Sequence, residues 1–324
     1  MSFRECEQGG NGMREERLNL FWKIVVVVSA LIGVFLSVNM LFYLNLFGIN
    51  PIQNAFLILL FACFMPVSFL IFPARKTHTK IKWYDIIFFV VSLVLAAYFG
   101  LNGERIILEG WDWYAPETAT YGAIVLWLLL LEALRRVGGL VLTIIVLVIS
   151  LYPLTAGNIP ISLLQGQAYD FFTLANMHIF SQNSVFGIAY STIGNTLLGF
   201  LVFGVVITAT GGGEYFFSLA QSIFGRSRGG SAKVAVVGSA FFGMLSGSAV
   251  SNAVTIGSMT IPAMKKTGYK PHYAAAIEAS ASTGGTITPP IMGSAAFIMA
   301  SFLATPYYEI ALAAAVPAIL YYFG

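Results

Sequence analysis

Long apolar runs, separated by short polar or charged segments, dominate the chain. A helix that crosses the roughly 30 Å hydrocarbon core of a bilayer needs about 20 apolar residues. Runs near that length stand at about 20–44, 52–72, 84–101, 119–134, 138–156 and 194–210. The pattern therefore predicts an all-α, polytopic membrane protein in which each run is a membrane-spanning helix.

The charges between these runs predict their orientation, because cytoplasmic loops are rich in Lys and Arg. Basic residues follow the second and fourth runs, at Arg75, Lys76, Lys80, Lys82, Arg135 and Arg136. The loop between the third and fourth runs is instead acidic. We therefore expect a cytoplasmic N-terminus and an outer connection at 156–193 that lies partly along the interface.

Two sets of side chains at the predicted membrane boundaries have an anchoring role in this topology. Basic side chains are expected to be interfacial anchors rather than substrate ligands at Arg135, Arg136, Lys265 and Lys266. The outer loop is expected to present an aromatic belt of Trp111, Trp113 and Tyr114.

The segment from Val234 to Met264 departs from the pattern, because it is apolar but rich in Gly, Ser, Thr and Asn. Basic residues flank it on both sides, so a single span would place its second basic cluster outside, against the positive-inside bias. A hairpin keeps both clusters inside. The segment is therefore predicted to be a re-entrant helical hairpin with limbs of roughly 12–15 residues and its tip near Ser246–Asn252.

The next segment, Tyr273–Leu303, carries an interruption of its own. Two glycines and two prolines occur within Ser282–Pro290, and such a run cannot sit inside an unbroken helix. Non-helical backbone at membrane depth occurs only where protein or a water-filled cavity satisfies its polar groups. The sequence therefore predicts a broken transmembrane helix directly after the hairpin.

Composition supports a membrane protein and excludes several other classes. Hydrophobic residues make up 58% of the 324 residues and charged residues 10%, against about 25% charged in soluble domains. The net charge of +3 is small and scattered, so nucleic-acid binding is not expected. The cysteines and histidines (Cys6, Cys63, His78, His178, His272) have neither a disulfide framework nor metal-ligand spacing.

Several motifs resemble one family when taken in order. They are Gly238-Ser-Ala-Phe-Phe-Gly-Met-Leu-Ser-Gly-Ser-Ala249, Ile261-Pro-Ala-Met264 with Gly268-Tyr269, and Glu278-Ala-Ser-Ala-Ser-Thr-Gly-Gly285 with Pro289-Pro290. Over about residues 194–310 the chain resembles the large membrane subunit of the tripartite ATP-independent periplasmic (TRAP) transporters. The spans in front resemble the subgroup whose small and large membrane subunits are fused.

The resemblance implies a small-subunit-like domain at 1–137 and the first part of a large-subunit transport domain at 138–324. It implies an elevator-type fold with two inverted repeats, in the bacterial inner membrane. The implied function is sodium-coupled import of organic acids such as dicarboxylates, received from an extracytoplasmic solute-binding protein, with Na⁺ as coupling ion and no other cofactor. The sequence contains one hairpin and one broken helix, so we expect a C-terminally truncated form, either a fragment or a natural truncation.

The same resemblance implies a site where the hairpin tip meets the break. Half-helix ends supply carbonyls for cations and N–H groups for carboxylates. The expected sodium ligands are Ser246, Gly247, Ser248, Asn252, Thr283, Gly284 and Thr286. The residues expected beside the substrate are Ser251, Thr255, Pro289 and Pro290. For each serine, simple close packing of helices is an equal alternative.

Glu278 is the acidic residue well inside this region. Ionisable residues at membrane depth are functional candidates by default. The alternative is a structural brace, hydrogen-bonded to the adjacent hairpin, and both interpretations stay open at this point.

Other function classes are an ion-conducting channel, since broken helices also build selectivity filters, and a non-transporting membrane scaffold. An intramembrane serine hydrolase would need Ser246 or Ser248 near His178 or His272. The predicted topology separates those residues, so no enzymatic activity is expected.

Overall fold

The computed structural model describes residues 17–45, 51–75, 80–158 and 165–323. Every regular element in this part of the chain is helical, which confirms the all-α class. Lys76, on which the orientation partly depends, lies outside the described residues, as do Cys6 and His78.

The helices are bounded as follows in the first 194 residues: Leu20–Leu41, Gln53–Phe64, Val67–Ile71, Trp83–Leu101, Gly103–Leu108, Trp111–Tyr114, Glu117–Gly138, Leu140–Leu151, Phe171–Phe180 and Ile188–Thr192. A π-helical turn comes next, at Ile193–Leu197. The α-helices after it are Leu198–Ala209, Gly212–Phe224, Gly230–Ser246, Ala249–Thr255, Gly257–Lys266, Pro271–Gly285, Ser294–Phe302 and Tyr307–Phe323.

Five helices in the described residues are long and apolar enough to cross a membrane. They are Leu20–Leu41, Gln53–Ile71, Trp83–Leu101, Glu117–Gly138 and Ile188–Ala209. They coincide with five of the six predicted runs, and a polytopic membrane protein is thereby confirmed.

The remaining predicted span, at 138–156, has a different form. Gly139 takes a left-handed conformation (φ 85°) and ends the preceding helix. The α-helix within the predicted span has 12 residues, Leu140–Leu151, and a 3-residue 3₁₀ turn follows it at Tyr152–Leu154. Together they extend roughly 22 Å at about 1.5 Å per residue, less than the hydrocarbon thickness. Pro153 has no N–H to donate, which accounts for the change to a 3₁₀ turn at this point.

The chain divides into two compact units, Met1–Gly194 and Asn195–Gly324. The core of the first unit contains Phe56, Leu60, Phe99 and Leu126. The division predicted at residue 137 concerns subunit ancestry, which compactness does not test, and it stays a prediction.

The outer connection predicted to lie along the interface contributes to this core. Helix Phe171–Phe180 buries Leu174, Ala175 and Ile179, and Asp170 caps its N-terminus by accepting from the Phe172 and Thr173 N–H groups. This part of the 156–193 connection therefore buries one helix face in the protein core rather than in the membrane interface.

The predicted aromatic belt is wrong for one of its three members. Trp113 and Tyr114 are exposed, but Trp111 is buried and its ring contacts Phe180 edge-on. The Trp111 indole N–H donates to Glu109 at 2.8 Å and holds the pKa of that carboxyl below its usual value. A buried indole needs an acceptor for its N–H, and Glu109 of the acidic loop is that acceptor.

The second unit contains the predicted hairpin and broken helix. The first limb is Gly230–Ser246, and the second limb is Ala249–Lys266, in which Ile256 joins two helical segments. The limbs are somewhat longer than predicted. Helix Pro271–Gly285, a non-helical stretch at 286–293 (the break) and helix Ser294–Phe302 form the broken helix.

Candidate functional site

Contacts between the limbs close the hairpin at its base and along its length. At the base, the Ser231 and Thr267 hydroxyls are 2.7 Å apart. Further along, the Asn252 side-chain amide donates to the Ser239 carbonyl at 2.7 Å. Polar residues of the hairpin segment, which distinguish it from the simple apolar spans, thus form hydrogen bonds between its two limbs.

The tip of the hairpin is formed by Gly247 and Ser248. Gly247 ends the first limb in a left-handed conformation (φ 62°) that glycine adopts without steric cost. Ser248 begins the second limb as its N-cap, accepting from the Ser251 N–H at 3.2 Å. A helix C-terminus and a helix N-terminus therefore meet within two residues.

Glu278 lies on helix Pro271–Gly285 and is fully buried against both limbs. Its Oε1 accepts from the Ser239 hydroxyl on the first limb and, at 3.1 Å, from Ser282 on its own helix. Its Oε2 accepts from the Thr260 hydroxyl on the second limb at 2.5 Å. This geometry is that of the brace alternative, and the three hydroxyl partners were not identified from the sequence.

Glycines bring the broken helix and the first limb into backbone contact. A Cβ on Gly285 would lie 2.7 Å from the Gly243 Cα, and a Cβ on Gly243 would lie 2.7 Å from the Asn252 side-chain nitrogen. Gly257 faces the Glu278 side chain, and a Cβ on Gly257 would lie 3.0 Å from the Glu278 Cγ. Small residues at these crossings permit the close approach that the buried hydrogen bonds require.

The tip touches the end of the break. A Cβ on Gly247 would collide with the Met292 carbonyl oxygen, and a Cβ on Gly293 would lie 3.2 Å from the Gly247 carbonyl oxygen and 3.4 Å from that of Thr286. Met292 has a positive φ of 62°, and the Gly293 N–H donates to the Thr286 carbonyl at 2.7 Å. The predicted meeting of tip and break is therefore present in this unit.

A cavity of about 320 Å³ opens beside this contact. Its polar lining comes from Ser246, Gly247, Ser248 and Ser294, and its apolar lining includes Phe200 and Phe297. Within the described residues, the Ser246 Oγ and the Asn252 Oδ1 are buried polar atoms that have no hydrogen-bond partner.

The predicted ligands on the broken helix lie differently from those at the tip. Thr283 and Gly284 belong to the last turn of helix Pro271–Gly285, not to the break. The Thr283 hydroxyl donates to the Ala279 carbonyl, and Gly284 faces the rings of Tyr321 and Tyr322. Thr286 is the member of this set that reaches the tip contact, through its carbonyl.

The residues predicted beside the substrate are also dispersed. Ser251 is exposed, and Thr255 faces Gly213, whose Cβ would lie 3.0 Å from the Thr255 methyl group. Pro289 lines a second cavity, of about 450 Å³, against helix Tyr307–Phe323. Pro290 offers its carbonyl to the Tyr307 hydroxyl at 3.0 Å.

Tyrosines of the last described helix support the broken helix from behind. The Tyr321 hydroxyl donates to the Ser280 carbonyl and the Tyr322 hydroxyl to the Ala281 carbonyl, each at 2.9 Å. The Tyr307 hydroxyl donates to the Ile291 carbonyl within the break. Sequence reasoning missed these residues because nothing in the local pattern relates a tyrosine to a carbonyl 16 or 41 positions away.

A separate polar cluster, in the first unit, corrects another prediction. Arg136 is fully buried rather than interfacial, and its Nη1 donates to Asp85 at 2.7 Å. Arg135, in contrast, is one-third exposed, and Lys265 and Lys266 are exposed. Burial of Arg136 follows from its two carboxylate partners, Asp85 and Glu132, since a guanidinium needs paired charge to leave water.

The comparisons with known proteins point to one family. Residues 125–324 match the family described as the tripartite ATP-independent periplasmic transporter, DctM component. This match covers most of the chain, including the hairpin, the break and the cavity. No solved structure matches the chain.

Curated relatives match shorter segments. The isethionate TRAP transporter permease protein DctMQ of Oleidesulfovibrio alaskensis is 37% identical over 91 residues, 28% of this chain and 14% of the relative. A putative TRAP transporter large permease protein of Haemophilus influenzae is 33% identical over 100 residues, 31% of this chain and 23% of the relative. The C4-dicarboxylate TRAP transporter large permease protein DctM of Pseudomonas aeruginosa is 31% identical over 121 residues, 37% of this chain and 28% of the relative.

The matched segments cover between 14 and 28% of these relatives' lengths. The relatives are named as transporter permeases, so the serine-hydrolase alternative is not supported and the chain is a membrane transporter component, not an enzyme. It belongs to the DctM-component family of tripartite ATP-independent periplasmic transporters.

Proposed function

We propose that this chain is the permease component of a sodium-coupled secondary transporter that imports organic acids. In this proposal an extracytoplasmic solute-binding protein delivers the acid, and Na⁺ binds where the hairpin tip meets the break. The chain lies in the bacterial inner membrane with its N-terminus in the cytoplasm, and its hairpin and broken helix form one repeat of an elevator-type fold.

The contact between the tip and the break is the observation that carries the proposal. Gly247 meets Met292 and Gly293, so the carbonyls of Gly247, Thr286 and Met292 all lie close to this contact. Sodium is a hard cation that prefers oxygen ligands, and carbonyls at broken helices coordinate it in secondary transporters. The contact supplies those ligands without a charged side chain.

An unpartnered hydroxyl beside the contact, and an unpartnered amide oxygen one helical turn after Ser248, support a cation there. Among the described residues, the Ser246 Oγ is buried without a partner and also lines the cavity, and the Asn252 Oδ1 is likewise buried without one. A buried acceptor that lacks a donor costs free energy, and a cation would offset that cost. The Thr286 hydroxyl already donates to Thr283, but it keeps lone pairs for a cation.

The same cavity supports binding of a carboxylate. Helix Ser294–Phe302 begins at the cavity, and its N-cap, Gly293, has no side chain to satisfy the first N–H groups. Free N–H groups at a helix N-terminus favour an anion. Phe200 and Phe297 supply the apolar wall that the carbon skeleton of an organic acid would contact. Relatives named for isethionate and for C4-dicarboxylates fit this class of substrate.

Uptake by the complete transporter, as it occurs in the cell, tests the proposal. The transporter is reconstituted in proteoliposomes with its binding protein and a radiolabelled C4-dicarboxylate. We expect uptake with an inward sodium gradient and at least about tenfold less with potassium in its place, a loss of coupling worth about 1.4 kcal/mol or more. Equal uptake in both salts would disprove sodium coupling. Movement of the substrate down its own concentration gradient, at the same rate with and without a sodium gradient, would favour a channel. Absence of flux in every arm, with the protein correctly inserted, would favour the scaffold.

Variants at the tip test the site separately from the function. Ser246→Ala removes the unpartnered hydroxyl and is expected to raise the sodium concentration for half-maximal uptake by about tenfold, the effect of one lost ligand of about 1.4 kcal/mol. Ser258→Ala is the matched control, because its exposed hydroxyl bonds only to Thr255 of its own limb. An unchanged sodium dependence in Ser246→Ala would refute this site while leaving sodium-coupled transport intact.

A further inference from the structure

The buried polar cluster of the first unit has no role in the proposed transport site. It consists of Arg17, Asp85, Glu132, Arg135 and Arg136, and we name it the arginine cluster. Arg17 Nη2 bonds to Asp85 Oδ2 at 2.6 Å, and Arg136 Nη1 bonds to Asp85 Oδ1 at 2.7 Å. One carboxylate therefore holds two guanidiniums side by side.

Each of the two carboxylates in the cluster accepts three hydrogen bonds. Asp85 also accepts from the Lys82 backbone N–H at 3.0 Å, and Glu132 accepts from both Arg135 and Arg136. The cluster contains three guanidiniums and two carboxylates, so it carries one positive charge more than its own acids neutralise. Arg17, Asp85 and Arg136 have side chains no more than 2% exposed, where unbalanced charge is costly.

Donors are left over on the two guanidiniums that share Asp85. Within the part of the chain that the structure describes, Arg17 Nε, Arg17 Nη1 and Arg136 Nη2 are buried and have no acceptor. Both side chains bond to the same carboxylate, so the two guanidiniums that carry these donors are close to one another. An excess positive charge with several spare donors is complementary to an oxyanion.

The cluster lies at one end of three membrane-spanning helices. Arg17 precedes the span that begins at Leu20, Asp85 is in the first turn of the span from Trp83, and Arg136 is in the last turn of the span to Gly138. The exposed side chains of Lys80, Lys82 and Trp83 lie at this end. The charge pattern predicts that it is the cytoplasmic end, where anionic lipids give the membrane surface a negative potential.

We propose that the arginine cluster is a receptor for a phosphate group, with the headgroup of an anionic phospholipid as its source. Guanidinium groups match phosphate oxygens in planar, paired hydrogen bonds and lose less hydration than an ammonium does. Basic pockets between helices on the cytoplasmic side bind such headgroups in other membrane proteins. The phosphate would accept from the spare donors of Arg17 and Arg136 and neutralise the excess charge.

Aromatic rings cover the cluster on one side. The Arg136 guanidinium lies 5.0 Å from the centre of the Phe69 ring, 5.9 Å from that of Tyr84 and 5.5 Å from that of Phe88. Tyr84 is half-buried, so rotation of its side chain would admit a headgroup from the lipid side. Charge-assisted hydrogen bonds to the phosphate, which are the stronger interaction, would then replace the cation–π interaction with Tyr84.

Thermal unfolding of the delipidated, detergent-purified chain tests the proposal. Phosphatidylglycerol is expected to raise the unfolding temperature by about 5 °C at saturation, and phosphatidylcholine by no more than about 1 °C. Arg17→Lys keeps the charge but not the planar fork of N–H donors that matches a phosphate, and it is expected to lose most of the phosphatidylglycerol effect. Lys23→Gln removes an exposed cation at the same end and is expected to keep it.

Inorganic phosphate and mass spectrometry complete the test. A shift with phosphate alone, lost in Arg17→Lys, would support the receptor with a soluble anion as its source. Native mass spectrometry of the wild-type chain from an equimolar mixture of the two lipids is expected to retain phosphatidylglycerol, whether or not Arg17→Lys folds. Equal retention of both lipids, or equal shifts in Arg17→Lys and Lys23→Gln, would overturn the proposal.

Discussion

The two compact units bury polar side chains in opposite ways. In the first unit Asp85 lies between Arg17 and Arg136, so full charges face one another in a protein interior. In the second unit Glu278 is surrounded by the hydroxyls of Ser239, Thr260 and Ser282 and, among the described residues, has no cationic partner. The first arrangement fixes its helices through charge pairs, and the second through neutral donors on both hairpin limbs and on the helix of Glu278 itself.

The difference indicates which cluster exchanges a single contact at the lower cost. Removing one partner from a buried ion pair costs about 3–5 kcal/mol, because the other charge stays buried. A hydroxyl hydrogen bond contributes about 1 kcal/mol, and a hydroxyl can turn to another acceptor. By these magnitudes, a single contact of the Glu278 cluster costs less to exchange than a single ion pair of the arginine cluster.

The largest effect is expected from Arg136→Gln, in the charged cluster. It removes a buried guanidinium that bonds to both Asp85 and Glu132 and packs on the Phe69 ring, and the loss of these charge-assisted hydrogen bonds is expected to cost about 3–5 kcal/mol. Arg135→Gln, one-third exposed, removes a partner of the same Glu132 at a cost of about 1 kcal/mol or less. The unfolding temperature of each variant in detergent checks the contrast, and equal losses would mean that burial of Arg136 adds nothing.

A smaller effect is expected from Glu278→Ala, in the neutral cluster. It leaves three buried hydroxyls without their acceptor and opens a cavity, for a loss of about 3 kcal/mol. Glu278→Gln keeps an acceptor oxygen, and the hydroxyls can turn to meet the amide, so about 1 kcal/mol is expected. The same unfolding measurement distinguishes them, and a loss in Glu278→Gln as large as in Glu278→Ala would show that the negative charge itself is required.

At the hairpin tip, Gly247→Ala is expected to cost about 2 kcal/mol, since it combines a left-handed conformation with a collision at the Met292 carbonyl. Gly268→Ala is a matched control, because Gly268 also has a positive φ, of 98°, but open space around its missing Cβ. About 1 kcal/mol is expected there. If the two variants unfold alike, the contact between tip and break contributes nothing to stability.

The smallest effect is expected from Ser239→Ala, which removes one of the three donors to Glu278. The carboxylate keeps Thr260 and Ser282, so the loss should be about 1 kcal/mol. Ser258→Ala, exposed on the second limb, should change stability by no more than about 0.5 kcal/mol. Unfolding curves measured in parallel would contradict the shared role of the hydroxyls if Ser239→Ala and Ser258→Ala coincide.

Much of the fold could be predicted because its signals are local. Five apolar runs and the two basic flanks of the hairpin are each readable within about 20 residues. The helix in the run at 138–156 is shorter than hydropathy alone predicts, because it begins after Gly139 and Pro153 ends its α-helical part. Trp111 and Arg136 stand in the sequence at the ends of predicted spans, which indicates the membrane interface. The residues that bury them are distant in the sequence and cannot be identified from that position.

The candidate site was predictable in outline but not in its contacts. Pro289 and Pro290 correctly indicated an interrupted helix, yet Thr283 and Gly284 belong to the helix before the break. The glycines at the end of that helix permit packing, as Gly285 does against Gly243. Which ends of two broken elements meet depends on how helices cross, and no local pattern specifies that.

The sequence by itself determined that this chain enters the membrane many times, and that a hairpin followed by a broken helix interrupts the simple spans. It could do so because hydropathy, flanking charge and helix-breaking residues act over one helix length. Only the tertiary structure decided that Glu278 braces both limbs, that the tip meets Met292 and Gly293, and that Asp85 gathers two arginines. Those contacts join residues 18 to 68 positions apart, and helix packing alone brings them within hydrogen-bond distance.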